Sequence, residues 1–236
     1  MSQGLVLATC DMMLNRKLYE MRWIKHNWHR VLAHVAALAP LIVWAIGYLR
    51  SGLSVDPVRF LMLRTGLVGL ILLVAALSCT PVNILFGWRQ AVRIRRPLGL
   101  YAFMYITFHL LLYAVYDGAL DLELIWRDLG ERHSMTVGLV AFLALLPLAL
   151  TSTDGWKRRL GKHWRTLHWL VYLAAPLSVL HFLWLDRDVK NQPLIYAAIV
   201  SLLLALRLPP VRRALVRLRY RLRSSRAGAD QQRTTS

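Results

Sequence analysis

The sequence predicts an all-α membrane protein with six transmembrane helices in one bundle and both termini in the cytoplasm. The chain of 236 residues is 57% hydrophobic and contains nine Trp, which is more apolar surface than a soluble domain of this size would use. Apolar runs that can cross a hydrocarbon core about 30 Å thick recur six times. Lys and Arg, which give a formal net charge of +18, concentrate in alternate connections between those runs.

The positions of the apolar runs give the predicted spans, which are 31–49, 60–80, 98–116, 135–151, 167–185 and 194–208. The last run is short, and we expect Arg207 to extend it by reaching the interface with its charged end. Residues 1–30 form a basic leader, 31–208 the transmembrane domain, and 209–236 a basic tail that starts as an amphipathic helix on the inner leaflet. No internal repeat is evident, and 236 residues leave no room for a second globular domain.

The charge of the connections predicts the orientation. Clusters of four to seven Lys and Arg lie before the first span, between the second and third, between the fourth and fifth, and after the sixth. The other connections are poorer in positive charge, and the connection 118–133 carries four carboxylates. The positive-inside rule then places both termini in the cytoplasm, with the basic surface against anionic lipid headgroups rather than nucleic acid. Cys10 and Cys79 are far apart and match no metal or redox spacing, so neither a disulfide nor a zinc site is expected.

Four of the eight histidines have an ordinary interpretation. His26, His29 and His133 lie in the leader and in a connection, where we expect them to be solvated. His34 lies within the first span, where a lone histidine is usually a hydrogen-bonded core group or part of a proton pathway.

His109 and His181 form the strongest candidate site. The third and fifth spans run in the same direction, and the two histidines lie at similar depths, towards the outer half of the membrane. Two imidazoles that face each other across a helix bundle are what a six-coordinate b-type haem requires. We therefore predict His109 and His181 as a pair of metal ligands.

His168 predicts a second site nearer the cytoplasm. It lies thirteen residues before His181, which is roughly 20 Å along a helix. That spacing also rotates His168 by about 220° from His181, so an ideal helix would not place both on one face. Pro176 lies between them and can kink or rewind the helix. His163, eighteen residues before His181, shares its face and is the competitor for the inner site.

The third span offers no second histidine as a partner for His168. Arg95 and Arg96 lie at the matching depth, and Arg95 is better aligned with the face of His109. Arg95 can ligate poorly or pair with a haem carboxylate. Arg64, near the outer end of the second span, either snorkels to the interface or meets a propionate.

Several segments together resemble the ferric-reductase-like transmembrane proteins. They are TSTDGWKRRLGKHWRTLHWLVYL at 151–173, LRTGL at 63–67, IRRPLGLYAFMYITFHLLLY at 94–113, HFLW at 181–184 and QPLIYA at 192–197. Within that group they are similar to the MsrQ (YedZ) family, the haem-binding membrane subunits of bacterial periplasmic methionine sulfoxide reductase systems. The resemblance covers about residues 22–222, and the combination of segments is specific although each one alone is weak.

This resemblance implies one or two b-type haems and a bound FMN, with haem ligands at His109, His168 and His181. Larger relatives carry two histidines on the third helix, whereas this chain has one, with Arg95 near the other position. The resemblance also implies a multi-pass protein of the bacterial inner membrane. It would take electrons from the quinol pool or a cytoplasmic flavin reductase and deliver them to a periplasmic molybdopterin subunit that reduces methionine sulfoxide in oxidised proteins. The chain would then be an electron-transfer subunit rather than the catalytic one.

Two other functions are consistent with the composition. One is a self-standing ferric or quinone reductase, which would turn over a small acceptor without a partner. The other is a non-redox membrane protein such as a transporter, whose histidines would serve protons or packing and which would purify colourless. A Rossmann-type glycine motif is absent, so the chain has no such module for NAD(P)H.

Overall fold

The computed structural model describes residues 28–50, 54–185, 191–217 and 219, and within these ranges all regular structure is helical. Most of the predicted leader and the end of the predicted tail lie outside the described residues. The helices are α1 (Trp28–Arg50), α2 (Pro57–Phe86), α3 (Arg89–Leu112), α4 (Leu122–Glu131), α5 (His133–Leu150), α6 (Asp154–Leu160), α7 (Lys162–Leu167), α8 (Val171–Leu185), α9 (Asn191–Ala205) and α10 (Pro209–Arg217). A π-helical turn, Tyr113–Asp117, continues α3, and a 3₁₀ turn, His168–Leu170, joins α7 to α8.

Within the described ranges, five continuous helical stretches are long and apolar enough to cross a membrane. They are α1, α2, α3 with its π-helical turn, α5, and α7 to α8 through the 3₁₀ turn. The pair α9 and α10 is bent by 74° and makes a sixth span only if it is counted as one. The predicted all-helical, membrane-embedded class is thus confirmed, while the sixth span and the location of the termini stay predictions.

Local sequence signals set the hairpin of α2 and α3. Asp56 caps α2 by accepting a hydrogen bond from the backbone N–H of Arg59 at 3.0 Å, and Pro57 occupies the first turn, where its missing N–H is harmless. Gly87 ends α2 with φ of +74°, a left-handed conformation that glycine adopts without strain. The chain reverses there, so α3 runs back along α2.

Small residues bring the helices together. The most extensive contacts are those of α2 with α3 and of α5 with α8. Buried alanines from five helices lie in the core, whereas many large apolar side chains face outwards, as a protein surrounded by lipid tails requires. The helix α1 is attached to α3 by the buried Tyr105 hydroxyl, which donates to the Ala37 carbonyl at 2.7 Å.

Charge separates the two ends of the bundle. One end of the bundle is formed by the start of α3, by α6 and α7, and by α10, and we call it the basic end. Arg96 and Asp154 form a 3.0 Å ion pair there, and Arg219 donates to the carbonyls of Asn83 and Ile84 at the end of α2. The opposite end carries the acidic helix α4. This arrangement follows the predicted alternation of charge along the chain.

Two expectations were wrong. His29, expected to be solvated, is only 3% exposed, because α1 already begins at Trp28 and places His29 on the same face as the buried Ala33 and Ala37. Arg207, expected to snorkel outwards, instead turns into the bundle and donates to the Leu77 carbonyl at 2.6 Å. The physical reason lies in α2, where Pro81, four residues after Leu77, has no N–H to offer that carbonyl. His133 is exposed, as expected.

Candidate functional site

An apolar pocket lies between the pair α2 and α3 and the pair α5 and α8. Helix α4 closes one side with Ile125 and Leu129. The remaining lining residues are Leu63, Gly66, Leu67, Leu70, Ile106, His109, Leu110, Tyr113, Met135, Gly138, Leu139, Ala141, Phe142, Leu145, Ser178, His181, Phe182 and Leu185. The pocket thus places both predicted ligands, His109 and His181, within one largely hydrocarbon surface.

His109 reaches from α3 to α2 at a glycine. Its Nδ1 is 2.7 Å from the carbonyl oxygen of Met62, one turn before Gly66. A Cβ built on Gly66 would lie 3.0 Å from that same nitrogen. Because helical side chains lean towards the preceding turn, a side chain at Gly66 would point at the space that the ring occupies.

His181 reaches from α8 to α5 in the same way. Its Nδ1 is 2.6 Å from the carbonyl oxygen of Ser134, one turn before Gly138. A Cβ on Gly138 would lie 2.7 Å from His181 Nδ1 and 2.8 Å from Cε1. This contact is tighter than the one at Gly66, so alanine cannot be placed there without moving the ring or the helix.

The hydrogen bonds determine which ring nitrogen is free. A carbonyl oxygen can only accept, so Nδ1 of each ring carries the hydrogen and donates it. The unprotonated nitrogen is then Nε2 in both His109 and His181, and an imidazole binds a metal through such a nitrogen. The two ring centroids are 6.1 Å apart, with the ring planes at 76°.

The two halves of the pocket are related by a shift of 72 residues. Met62, Gly66 and His109 correspond at that spacing to Ser134, Gly138 and His181. The other correspondences in the lining are Leu63 with Met135, Leu67 with Leu139, Leu70 with Phe142, Ile106 with Ser178, Leu110 with Phe182 and Tyr113 with Leu185. The expectation that there is no internal repeat was therefore wrong at the level of structure.

Sequence reasoning missed Gly66 and Gly138 because nearly all side chains have diverged between the halves. One signal was present, since the tripeptide Gly-Leu-Val occurs at both 66–68 and 138–140. So short an identity is weak evidence by itself. It gains meaning only when the same offset also relates His109 to His181.

The residues present fit the expected haem. Two imidazoles each offer an unprotonated Nε2 as a ligand. The walls of the pocket are apolar, and two glycines leave the space that the rings require. Within the described ranges, no three His, Cys, Asp or Glu side chains cluster as a protein-only metal site would need. His109 and His181 are therefore the residues that would hold the haem, each through its Nε2 atom.

His168 lies apart from this pocket, at the join of α7 and α8. It is half-buried, its Nδ1 is 3.1 Å from the Trp164 carbonyl oxygen, and its ring centroid is 3.9 Å from that of Trp164. The 3₁₀ turn that begins at His168 has three residues, and each turns the chain by about 20° more than an α-helical residue does. The extra rotation of roughly 60° brings His168 closer to the helix face that carries His181. His163 is exposed on α7, away from the pocket.

The predicted arginines have separate environments. Arg95 is half-buried, its Nη1 lies 3.5 Å from the Thr80 hydroxyl, and it is close enough to His168 for their charges to interact. Arg96 donates to both carboxylate oxygens of Asp154, at 3.0 and 3.1 Å. Arg64 is exposed and lies over the Phe60 ring at 5.3 Å, as snorkelling predicts.

His34 is not part of the pocket. Its Nδ1 is 2.9 Å from the Tyr101 hydroxyl, and the two rings meet edge to face. This hydrogen bond attaches α1 to α3, as the structural interpretation of His34 predicts, but His34 is exposed and is not a core residue.

The chain is similar to a known membrane-protein family and to its members. Residues 62–179 match the family model described as "Ferric reductase like transmembrane component". The chain is 45% identical over 186 residues to the protein-methionine-sulfoxide reductase heme-binding subunit MsrQ of Rhodospirillum rubrum, across 78% of this chain and 89% of that relative. No solved structure matches the chain significantly.

Proposed function

The chain belongs to the MsrQ family of ferric-reductase-like membrane proteins, and we propose that it is a membrane electron-transfer subunit that holds b-type haem between His109 and His181. The proposal rests on one observation, that each imidazole is held by a carbonyl oxygen and a glycine in the same arrangement, which we call its cradle. Each ring has its Nδ1–H engaged by a carbonyl and its Nε2 left for a metal. The haem, when bound, supplies reversible one-electron chemistry.

The protein contributes position, tautomer and low polarity. The Met62 and Ser134 carbonyls orient the rings, Gly66 and Gly138 admit them, and the apolar lining excludes water. Excluding water strengthens electrostatic effects at the site and removes competing reactions. None of these contributions requires His109 or His181 to exchange a proton.

We further propose a second electron-transfer site, the inner station, at His168. The haem count is two if this site holds a haem and one if it does not. Of the sequence candidates near it, Arg95 is supported by its proximity, whereas Arg96 is paired with Asp154 and His163 is exposed. Arg64 lies exposed against Phe60, which supports snorkelling over a propionate contact. An inner station would shorten the distance that an electron crosses between the two ends of the bundle.

The charge distribution supports an orientation in the membrane and, with it, a direction of electron transfer. We propose that the basic end faces the cytoplasm of a bacterium, so that the chain is a multi-pass inner-membrane protein with both termini inside. A quinol or a reduced flavin, with FMN as a bound cofactor, would donate there. A periplasmic molybdopterin subunit that reduces methionine sulfoxide would accept at the α4 end, and the pair would support repair of oxidised proteins. The relative from Rhodospirillum rubrum carries the methionine-sulfoxide reductase in its name, which supports this assignment.

The direct test is a dithionite-reduced minus air-oxidised spectrum, with haem quantified per polypeptide, for the wild type and for His109→Ala and His181→Ala. Both variants should lose the haem that the pair holds. His34→Ala is the matched control, because His34 is a helical histidine bonded to Tyr101 outside the pocket. Unchanged spectra in both variants would refute the assignment, and a colourless, well-folded wild type would favour a transporter or another non-redox protein.

A second measurement separates the subunit from a self-standing reductase. Reduced protein should pass electrons to a co-expressed molybdopterin reductase more readily than to ferric citrate or a soluble quinone. Equal or faster turnover with the small acceptors alone would favour an independent ferric or quinone reductase. Reporter fusions at both termini test the orientation, which predicts activity only for reporters that work in the cytoplasm.

A further inference from the structure

A second polar site lies at the basic end, away from the histidine pair. It is formed by Arg95 on α3, Thr80 on α2 and Arg207 after α9. Nη1 of Arg95 and Nη2 of Arg207 both approach the Thr80 hydroxyl oxygen, at 3.5 and 3.4 Å. The two guanidinium groups are therefore neighbours, although like charges repel.

Arg207 is held in place by the irregularity of α2. Its Nη2 donates to the Leu77 carbonyl at 2.6 Å, the group that Pro81 leaves without a helical donor. Its guanidinium carbon lies 5.9 Å from the centroid of the Tyr172 ring, which provides a cation–π contact. The side chain is thus anchored on two sides before any ligand binds.

No carboxylate among the described residues neutralises the charge of this cluster. Arg207 Nε is fully buried and has no hydrogen-bond partner among the residues that the structure describes. In the part of the chain that the structure describes, the ion pairs are Arg96–Asp154, Arg127–Glu131 and Arg132–Asp128, and none involves Arg95 or Arg207. A buried N–H without an acceptor and two adjacent cations without a carboxylate are costly arrangements unless an anion completes them.

We propose that Arg95, Arg207 and Thr80 bind an oxyanion group, a phosphate or a carboxylate, of a small molecule that enters the basic end of the bundle. Guanidinium groups suit this ligand because their planar N–H donors match the oxygens of a phosphate or a carboxylate. The same chemistry is offered by the phosphate of FMN, by a haem propionate and by a phospholipid headgroup. His168 lies within electrostatic range of Arg95, so the ligand would lie in the same region of the bundle as the proposed inner station.

The test uses the full chain purified in detergent as wild type, Arg207→Gln and Arg95→Gln. Each protein is titrated with FMN and with riboflavin, which lacks the phosphate, and is assayed for haem and for co-purified phospholipid. Arg93→Gln is the matched control, because Arg93 is exposed on the same helix as Arg95. If Arg207→Gln unfolds, Arg207→Lys keeps a donor for the Leu77 carbonyl, and Arg95→Gln leaves that contact intact.

We expect both Gln variants to weaken one ligand by roughly tenfold or more, the loss of one charge-assisted hydrogen bond. A loss of FMN affinity without a loss for riboflavin identifies the flavin phosphate, a loss of haem identifies a propionate, and a loss of phospholipid identifies the headgroup. Unchanged FMN affinity, haem and phospholipid in both variants, or equal losses in Arg93→Gln, would overturn the proposal. The result is independent of the histidine pair, which is tested by its own spectrum.

Discussion

His109 and His181 are held by the same device, a carbonyl oxygen that lies 47 residues earlier in the chain on the helix that each ring contacts. In both cases a glycine follows that carbonyl by one turn and leaves room for the ring. The device appears once in α2–α3 and once in α5–α8. Because Nδ1 donates to that carbonyl, Nε2 is the unprotonated nitrogen in both rings that line the pocket. The two glycines can be tested by substitution in the same way as the histidines.

Gly138→Ala should impair the haem site more than Gly66→Ala. The added methyl would lie 2.7 Å from His181 Nδ1 in the first case and 3.0 Å from His109 Nδ1 in the second, so the first ring must move further. We expect reduced haem content and a shifted reduced-minus-oxidised spectrum, measured per polypeptide. Gly99→Ala is the control, because a Cβ there meets no atom of the described residues within 4 Å. Wild-type spectra in both pocket variants would contradict the cradle.

Asp128→Ala should loosen α4 from the pocket. Asp128 is 9% exposed, accepts a hydrogen bond from the Tyr113 hydroxyl at 2.9 Å and lies 3.6 Å from Arg132 Nε. Removing the carboxylate leaves the buried hydroxyl unpaired, at a cost of about 1–3 kcal/mol. Thermal unfolding in detergent and hydrogen exchange of α4 would measure the loss.

The control for that substitution is Glu131→Ala on the same helix. Glu131 forms an exposed pair with Arg127 at 3.9 Å, and such pairs contribute about 0.3–0.5 kcal/mol. If both variants unfold at the same temperature, the Tyr113–Asp128 contact does not hold α4 in place.

Arg207→Leu should destabilise the bundle, whereas Arg207→Lys should recover part of the loss. The Leu77 carbonyl has no helical donor because of Pro81, so leucine leaves it unsatisfied, at a cost of about 1–3 kcal/mol. Lysine can still donate one hydrogen bond. Unfolding midpoints of the two variants in detergent would show the order, and equal midpoints would mean that the contact contributes little.

Arg96→Gln and Asp154→Asn should have equal and small effects. The two side chains form one ion pair at 3.0 Å and are 45% and 74% exposed, so solvent screening limits its contribution to about 1 kcal/mol or less. Haem content should not change in either variant. A loss of haem in Arg96→Gln alone would instead assign Arg96 to the cofactor, as the sequence also allowed.

Much of the architecture could be predicted, because the hydropathy of a segment and the charge of a connection depend only on the residues within them. The run 135–151 corresponds to α5, His133–Leu150, within two residues at each end. The expected clustering of positive charge also holds, since the basic segments of α3, α6 and α10 gather at one end. The sixth span was less predictable, because Leu206–Leu208 breaks the helix and α10 turns away by 74°. Apolar composition alone does not reveal such a bend.

The sequence by itself determined the membrane-embedded helical class, the alternation of basic connections and the presence of two histidines at one depth. These properties depend on the transfer free energy of each side chain and on the rise of a helix, which are the same in any packing. The tertiary structure alone decided that His109 meets Gly66, that His181 meets Gly138, and that Arg207 turns towards Leu77. Those contacts depend on how neighbouring helices are rotated and shifted against each other. Small side chains allow two helices to approach closely, but they do not specify which residue of the neighbouring helix is contacted.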